Sequence, residues 1–447
     1  MFLNEELERY TEKRIKTKIL WQESLKVLAG GISHNIRDLN LPLIHAFPPF
    51  IKEAQGIVAK DIDNNSYTDY WCGHYALILG HKHPAIISAL REHLERGWHF
   101  GTVLENQTKL GSQVIHDNPS IEKVRFCTSG TESTMYASRL ARAFTKKRLI
   151  AKARMGWHGA NDTLCYNVRY PFTGHESVGL LPAEEAGVLT FDIQYGKEHI
   201  EHLIKENPND IAAIIIEPVL GGGGGFPVDI DLLKFLREIT MENNILLIFD
   251  EVITGYRFGY GLYQNIINVI PDLTCMGKIV GGGMPIGIIG GRDEVMEMAN
   301  PQSSNRVWIG GGTFSANPLS MIAGLKTLEE LKKQKIEYSR INKLGTTLKE
   351  RLNSFFQEKN LKFYATGFNS LITIHSLNRP LSDPLPLDLV NEANKKREAL
   401  LNLALLNRGI MGMHGIGSLS LLHQKIQIEY LMEVITEISP VISSLDL

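Results

Sequence analysis

The stretch IAAIIIEPVLGGGGGFPVDIDLLKFLREITMENNILLIFDEV (211–252) decides the fold. It begins and ends with short apolar runs, IAAIIIEPV (211–219) and NILLIFDEV (244–252), each interrupted late by an acid, Glu217 and Asp250. A strand that is apolar on both faces is covered on both faces, which is the condition of a parallel sheet between layers of helices. Runs of the same kind recur at VRFCTS (124–129), RLIAKA (148–153) and PIGIIGG (285–291), with helical stretches between them. The expected fold class is therefore α/β, a large domain with a mainly parallel sheet flanked by helices and a smaller α+β domain built from both chain ends.

The expected boundaries are 1–65 for the N-terminal part of the small domain, 66–325 for the large domain and 326–447 for the C-terminal part. Residues 5–28 have the pattern of one amphipathic helix, broken by GGISHNIR (30–37). Residues 50–70 alternate as short strands, with Asp63-Asn64-Asn65 as a turn. After 320 a helical region runs to about 357, followed by strands at FYATG (363–367) and SLITIHS (370–376), a helix near 386–407 and a last strand–helix unit.

Over 447 residues the hydrophobic fraction is 43% and the charged fraction 21%, the proportions of a globular chain. A formal net charge of −2 offers neither nucleic acid nor an anionic membrane an electrostatic footprint, so a small molecule is the expected partner. The four cysteines, Cys72, Cys127, Cys165 and Cys275, form no CxxC pair, which argues against a cysteine zinc site and a disulfide framework. With an N-terminus charged throughout, they point to the cytoplasm. The run Leu273–Gly291 holds Lys278 and Pro285 among many glycines, and a buried loop and strand explain it better than a membrane span.

Three features carry chemistry. Lys278 is the only charged residue between Asp272 and Arg292, and a lysine forced into apolar surroundings has a lowered pKa and becomes a competent nucleophile. Asp250 closes an apolar run, which puts it at the carboxyl end of a buried strand, where open α/β sheets bind ligands; a cap on the following helix is the alternative. Ser129, Gly130 and Thr131 follow a strand and open a helix with an apolar stripe at Ala137, Leu140, Ala141 and Phe144. That helix start suits a phosphate, although the same three residues also make an ordinary N-cap.

Taken together, RFCTSGTESTMYASRLARAFT (125–145), GWHGA (156–160), IAAIIIEPV, LLIFDEVITGYRFG (246–259), PDLTCMGKIVGGGMPIGIIGGR (271–292) and GGTFSANPLSMIAGL (311–325) resemble a class III aminotransferase of pyridoxal 5'-phosphate (PLP) fold type I. The branch they most resemble is that of the glutamate-1-semialdehyde aminomutases, over about residues 25–325. The resemblance implies that Lys278 carries PLP as a Schiff base and then moves protons, and that Asp250 pairs with the ring nitrogen. It also implies that Ser129, Gly130 and Thr131 hold the phosphate, Trp157 stacks on the ring and His158 lines the pocket wall. Glu217 would lie near the ring hydroxyl, Val252 under the ring, and Thr313 would reach the phosphate of a second subunit in a homodimer with shared sites.

The pocket edges depart from the aminomutase pattern. GGISHNIR replaces GGVNSPVR while keeping Arg37, and WCGHYALILGH (71–81) puts His74 where aminomutases have Trp within GSWGP. RGIMGMHGIGSLSLLH (408–423) lacks their acidic, proline-containing segment. These departures favour a transaminase between an amino acid or amine donor and a keto acid or aldehyde acceptor. The alternatives are the aminomutase itself, a PLP epimerase or lyase, and a PLP-free nucleotide-binding protein. Arg37 is the candidate for a substrate carboxylate, with an ion pair at a dimer interface as the alternative, and His74 is the second substrate candidate. Gly221–Gly225 lacks the ending of a P-loop and is expected to be a mobile surface loop. Gly281–Gly287 does not fit a dinucleotide fingerprint, and His81 and His83 lack further ligands, so no metal is expected.

Overall fold

The computed structural model describes residues 2–169, 172 and 176–443 in two compact units, one spanning Pro84–Ser339 and the other built from the two chain ends. The Pro84–Ser339 unit holds a seven-stranded sheet. Its order is Lys123–Cys127, Gly287–Gly291, Leu273–Gly277, Leu246–Asp250, Ile211–Ile216, Leu149–Ala153 and Val188–Phe191. Only Gly287–Gly291 runs against its neighbours. The five inner strands are buried at every residue, as continuous apolar runs require. The Gly130–Thr145 helix lays Ala137, Leu140 and Ala141 against Ile150, Ala213, Ile215, Ile248 and Leu273 in one core.

In the terminal unit, Ile51–Gln55, Val58–Asp61 and Ser66–Asp69 form an antiparallel meander that Ile410–Met411 extends in parallel. A second sheet joins Phe363–Phe368, Leu371–Ser376 and Gly417–Ser418. Its core gathers Leu348, Leu352, Leu400, Leu401, Leu431 and Ile435 from three helices. The Ser66–Asp69 strand pairs within this unit, so the division falls after His83 rather than at 65/66. The Pro318–Lys333 helix packs on the Glu105–Asp117 helix and on Lys278–Gly281, which carries the large unit past 325/326 to Ser339.

The single helix expected over 5–28 is two, Phe2–Glu12 and Ile15–Val27. Arg14 leaves helical backbone between them, at φ −138° and ψ 50°, and buries its guanidinium. There it donates to Tyr67 Oη at 2.9 Å and to the Leu406 carbonyl at 3.0 Å, 3.9 Å above the Tyr10 ring. A buried arginine needs such partners, and this demand outweighs helical periodicity.

Candidate active site

Three neighbouring parallel strands, Ile211–Ile216, Leu246–Asp250 and Leu273–Gly277, end at one edge of the sheet. Beyond them stand Glu217, Asp250 and Lys278, so residues far apart in sequence meet at the carboxyl ends, where α/β sheets bind ligands. The Lys123–Cys127 strand delivers Ser129 and the Gly130–Thr145 helix, and the Leu149–Ala153 strand leads to Trp157 and His158.

Asp250 is buried, and its Oδ2 lies 2.8 Å from His158 Nδ1 while Oδ1 accepts from the Val252 N–H at 3.1 Å. A carboxylate only accepts, so Nδ1 carries the proton of that bond. His158 is also buried; burial lowers its pKa, opposed by Asp250, and a neutral ring leaves Nε2 as an acceptor. That Nε2 has no partner among the described residues. Lys278 occupies left-handed backbone at φ 51°, a conformation that costs a non-glycine residue energy and concentrates at functional sites. Burial brings its pKa down from 10.5 to about 8, against the pull of the Asp250 and Glu217 carboxylates. A neutral, nucleophilic amine is therefore accessible near physiological pH.

Ser129 caps the Gly130–Thr145 helix, its Oγ accepting from the Glu132 N–H at 3.2 Å, and Glu132 Oε2 accepts from the Thr128 N–H at 2.6 Å. This reciprocal cap sets the angle of the first turn. The N–H groups of Gly130 and Thr131 donate to nothing among the described residues. A Cβ on Gly130 would stand 3.0 Å from both γ-carbons of Val252, so the absent side chain lets the helix start approach the strand end. Gly159, at φ +86°, lies where a Cβ would collide with Thr131, and Thr134 Oγ1 donates to the His158 carbonyl at 2.6 Å. These contacts bring the helix start and the Trp157–His158 loop together.

Glu217 is buried with both oxygens engaged, Oε1 by the Trp157 N–H at 2.8 Å and Oε2 by the Gly221 N–H at 3.1 Å. Burial and the Asp250 charge raise its pKa; the two N–H groups and Lys278 oppose them. Gly221–Gly225 is not the loose surface loop that its composition implies. Val219–Leu220 and Phe226–Pro227 pair across it as an antiparallel hairpin, and the Gly225 N–H donates to the Leu220 carbonyl at 2.8 Å. A Cβ at Gly222 would lie 2.9 Å from Trp157 Cβ, and one at Gly223 would strike the Met155 carbonyl. The glycines permit close packing here.

Lys152 is a further buried charge, not singled out from the sequence. It lies near the end of RLIAKA, is fully buried and donates to the Tyr166 carbonyl at 2.8 Å. Burial lowers its pKa from 10.5 to about 8, with Glu217, Glu176 and Cys165 opposing. The signal was a lysine inside a strand that is otherwise apolar.

Thr313 is exposed on a loop where a Cβ at Gly312 would lie 3.6 Å from Glu132 Oε1. Trp308 and Phe314 beside it are 72% and 59% exposed. Arg37 and His74 belong to the terminal unit. Arg37 is exposed, and its guanidinium meets no acid among the described residues. Cys72, Gly73, His74 and Tyr75 form a continuous left-handed turn, with φ of 49°, 58°, 62° and 66°. Asp69 Oδ1 holds its entry by accepting from the Trp71 N–H at 2.8 Å and the Cys72 N–H at 3.1 Å, while Oδ2 lies 2.7 Å from His81 Nε2. The His74 ring lies 4.5 Å from the Trp71 ring and 5.1 Å from that of His34, which joins the Arg37 segment to the turn. Among the described residues no group of three metal-ligating side chains occurs, and no helix is long and apolar enough to cross a membrane.

The class-III aminotransferase family model matches residues 44–364. The chain is 38% identical over 371 residues to a glutamate-1-semialdehyde 2,1-aminomutase of Methanococcoides burtonii, covering 82% of this chain and 85% of that protein. Among solved structures it is similar to an omega-transaminase from Sphaerobacter thermophilus, at 30% identity and a TM-score of 0.85 over 95% and 97% of the two chains. It is also similar to a transaminase with PLP bound, at 26% identity and a TM-score of 0.86 over 96% and 98%.

Proposed function

From the premise that the chain belongs to the class-III aminotransferase family, with the PLP-dependent fold type I, we propose that it moves an amino group with Lys278 as the reacting lysine. Its cofactor is pyridoxal 5'-phosphate. The residues present fit that group: an unengaged helix start for the phosphate, a buried acid for the pyridine nitrogen, an unpartnered His158 Nε2 and a cradle that a Cβ on Gly130 would fill. The observation that carries the reading is the convergence of Lys278, with its lowered pKa, and the Asp250–His158 pair at adjacent strand ends.

PLP, when bound, supplies an electron sink for the pair left on carbon when the bond to its proton breaks. Lys278 would hold the cofactor covalently through Nζ, and the same amine would take and deliver a proton at the amine-bearing carbon of the substrate. Asp250 would hold the proton at the ring nitrogen, with His158 Nδ1 fixing its carboxylate. Ser129, Gly130 and Thr131 would hold the phosphate, Trp157 and Val252 would pack on the ring, and Glu217 would lie near the ring hydroxyl. Arg37 is the candidate for a substrate carboxylate, which the lack of an acidic partner among the described residues supports, and His74 is the second substrate candidate. Thr313 on its exposed loop, with Trp308 and Phe314, supports a homodimer in which it reaches the partner's phosphate.

Two outcomes share this machinery. The name of the 38%-identical relative favours an intramolecular shift, the conversion of glutamate 1-semialdehyde to 5-aminolevulinate, over the transaminase that the pocket edges suggest. Transfer between two substrates is the second reading, supported by the omega-transaminase likeness and by those same pocket edges. Incubating the PLP-loaded protein with glutamate 1-semialdehyde alone separates them. Aminolevulinate formed at enzymatic rates without an added acceptor is the expected result. Its absence, together with turnover of an amino donor plus a keto acid, would put the transaminase first.

A further inference from the structure

Trp157 is held by contacts from outside its own strand. Its backbone N–H is bound by Glu217, whose other oxygen binds the first residue of the glycine hairpin. The hairpin in turn runs so close that a Cβ on Gly222 would lie 2.9 Å from Trp157 Cβ and 3.5 Å from Cγ. A Cβ on Gly221 would collide with Ile253, which follows Val252 in the chain. One carboxylate thus spans two segments. Each carboxylate oxygen of Glu217 accepts from a backbone N–H, one from either segment, which suits a group that fixes the two relative to each other.

We propose that Glu217 and the Gly221–Gly225 hairpin form a template that sets the position of the Trp157 ring, with Glu217 as the positioning residue and Gly222 as the contact that admits no side chain. This rests on the reading that Trp157 lies on the cofactor ring. The hairpin then acts on cofactor binding without touching the cofactor. Any side chain at Gly222 pushes the Trp157 backbone off its place, and loss of the Glu217 carboxylate releases both segments together. Gln at this position keeps one acceptor but turns an N–H donor toward the second backbone N–H, so one of the two bonds is lost.

The test compares Gly222→Ala, Glu217→Gln and Trp157→Phe with the parent protein, each reconstituted with PLP. Cofactor affinity is measured by equilibrium dialysis and the cofactor's surroundings by circular dichroism of its visible band; far-UV circular dichroism checks the fold. Gly222→Ala and Glu217→Gln are each expected to weaken PLP binding by about tenfold, the loss of one buried hydrogen bond or its equivalent in displacement. Both should change the visible signal in the same sense, and the double variant should weaken binding by far less than the product of the two. If Glu217→Gln and Gly222→Ala fold and leave affinity and visible signal at parent values while Trp157→Phe alters them, the template is wrong and the placing of Trp157 survives. If Trp157→Phe alters neither, the reading beneath the proposal fails and the proposal with it. Should Gly222→Ala not fold, Glu217→Gln decides alone by the same readouts.

Discussion

Replacing Lys152 by Met removes a charge that the fold carries at its own expense. The unfolded lysine keeps its proton up to about 10.5, whereas the buried one releases it near 8. Between those values the unfolded chain binds more protons than the folded one, so stability climbs with pH through this window; below about 8 the whole cost is present. From 10.5 to about 8, at about 1.4 kcal/mol per pH unit, that cost is on the order of 3 kcal/mol. Met fills the same volume but leaves the Tyr166 carbonyl without its donor, a loss of about 1–3 kcal/mol. Near pH 7 the two effects roughly cancel or leave Lys152→Met slightly more stable. Near pH 10 the lysine is neutral in the fold and still donates, so the variant becomes the less stable by about 1–3 kcal/mol. Denaturant unfolding of both proteins in the same cofactor state, at several pH values between these limits, reads the difference, and the contribution of Lys278 cancels. A difference that stays flat with pH would refute the argument, because it would mean that Lys152 titrates as an ordinary lysine.

The cofactor-free protein should show Lys278 reacting with an amine-selective reagent along a titration curve centred near 8, not near 10.5, as followed by peptide mass mapping; a midpoint at the ordinary value would contradict the effect of burial. Asp250→Asn leaves His158 facing an amide and the ring nitrogen without an anion, so turnover should fall by about a thousandfold with the protein still folded; single-turnover absorbance measures it, and a loss under tenfold would remove Asp250 from the chemistry. Arg37→Ala should raise KM for carboxylate-bearing substrates by about tenfold to a hundredfold and leave neutral amines unaffected. Equal effects on both would take Arg37 out of carboxylate binding.

That Asp250 and Lys278 stand at neighbouring strand ends was legible from the sequence, because a charge that closes an apolar run marks where a buried strand reaches the carboxyl end of the sheet. The central strands were legible because five of them are buried along their whole length and are therefore built almost entirely from apolar residues. What stayed hidden depends on contacts made across long separations. His158 and Asp250 lie 92 residues apart, and nothing local in either segment announces their hydrogen bond. The Val188–Phe191 strand is four residues with two half-exposed, too short to leave a pattern at the sheet edge. The glycine run looked mobile because composition reports entropy and not the Trp157 and Met155 atoms that fill the space beside it. Arg14 breaks its helix for partners, Tyr67 and Leu406, that only the folded chain supplies.

The left-handed turn at Cys72–Tyr75 has a consequence for anyone who would vary this segment. Three of its four residues carry a Cβ in a conformation that disfavours one by roughly 1–2 kcal/mol each. Variation at these positions samples backbone tolerance together with side-chain chemistry. Exchanges at His74 should therefore rank by willingness to adopt positive φ, with Gly and Asn accepted and Val and Ile rejected, whatever their size. A library built on side-chain volume alone would mistake unfolded variants for inactive ones.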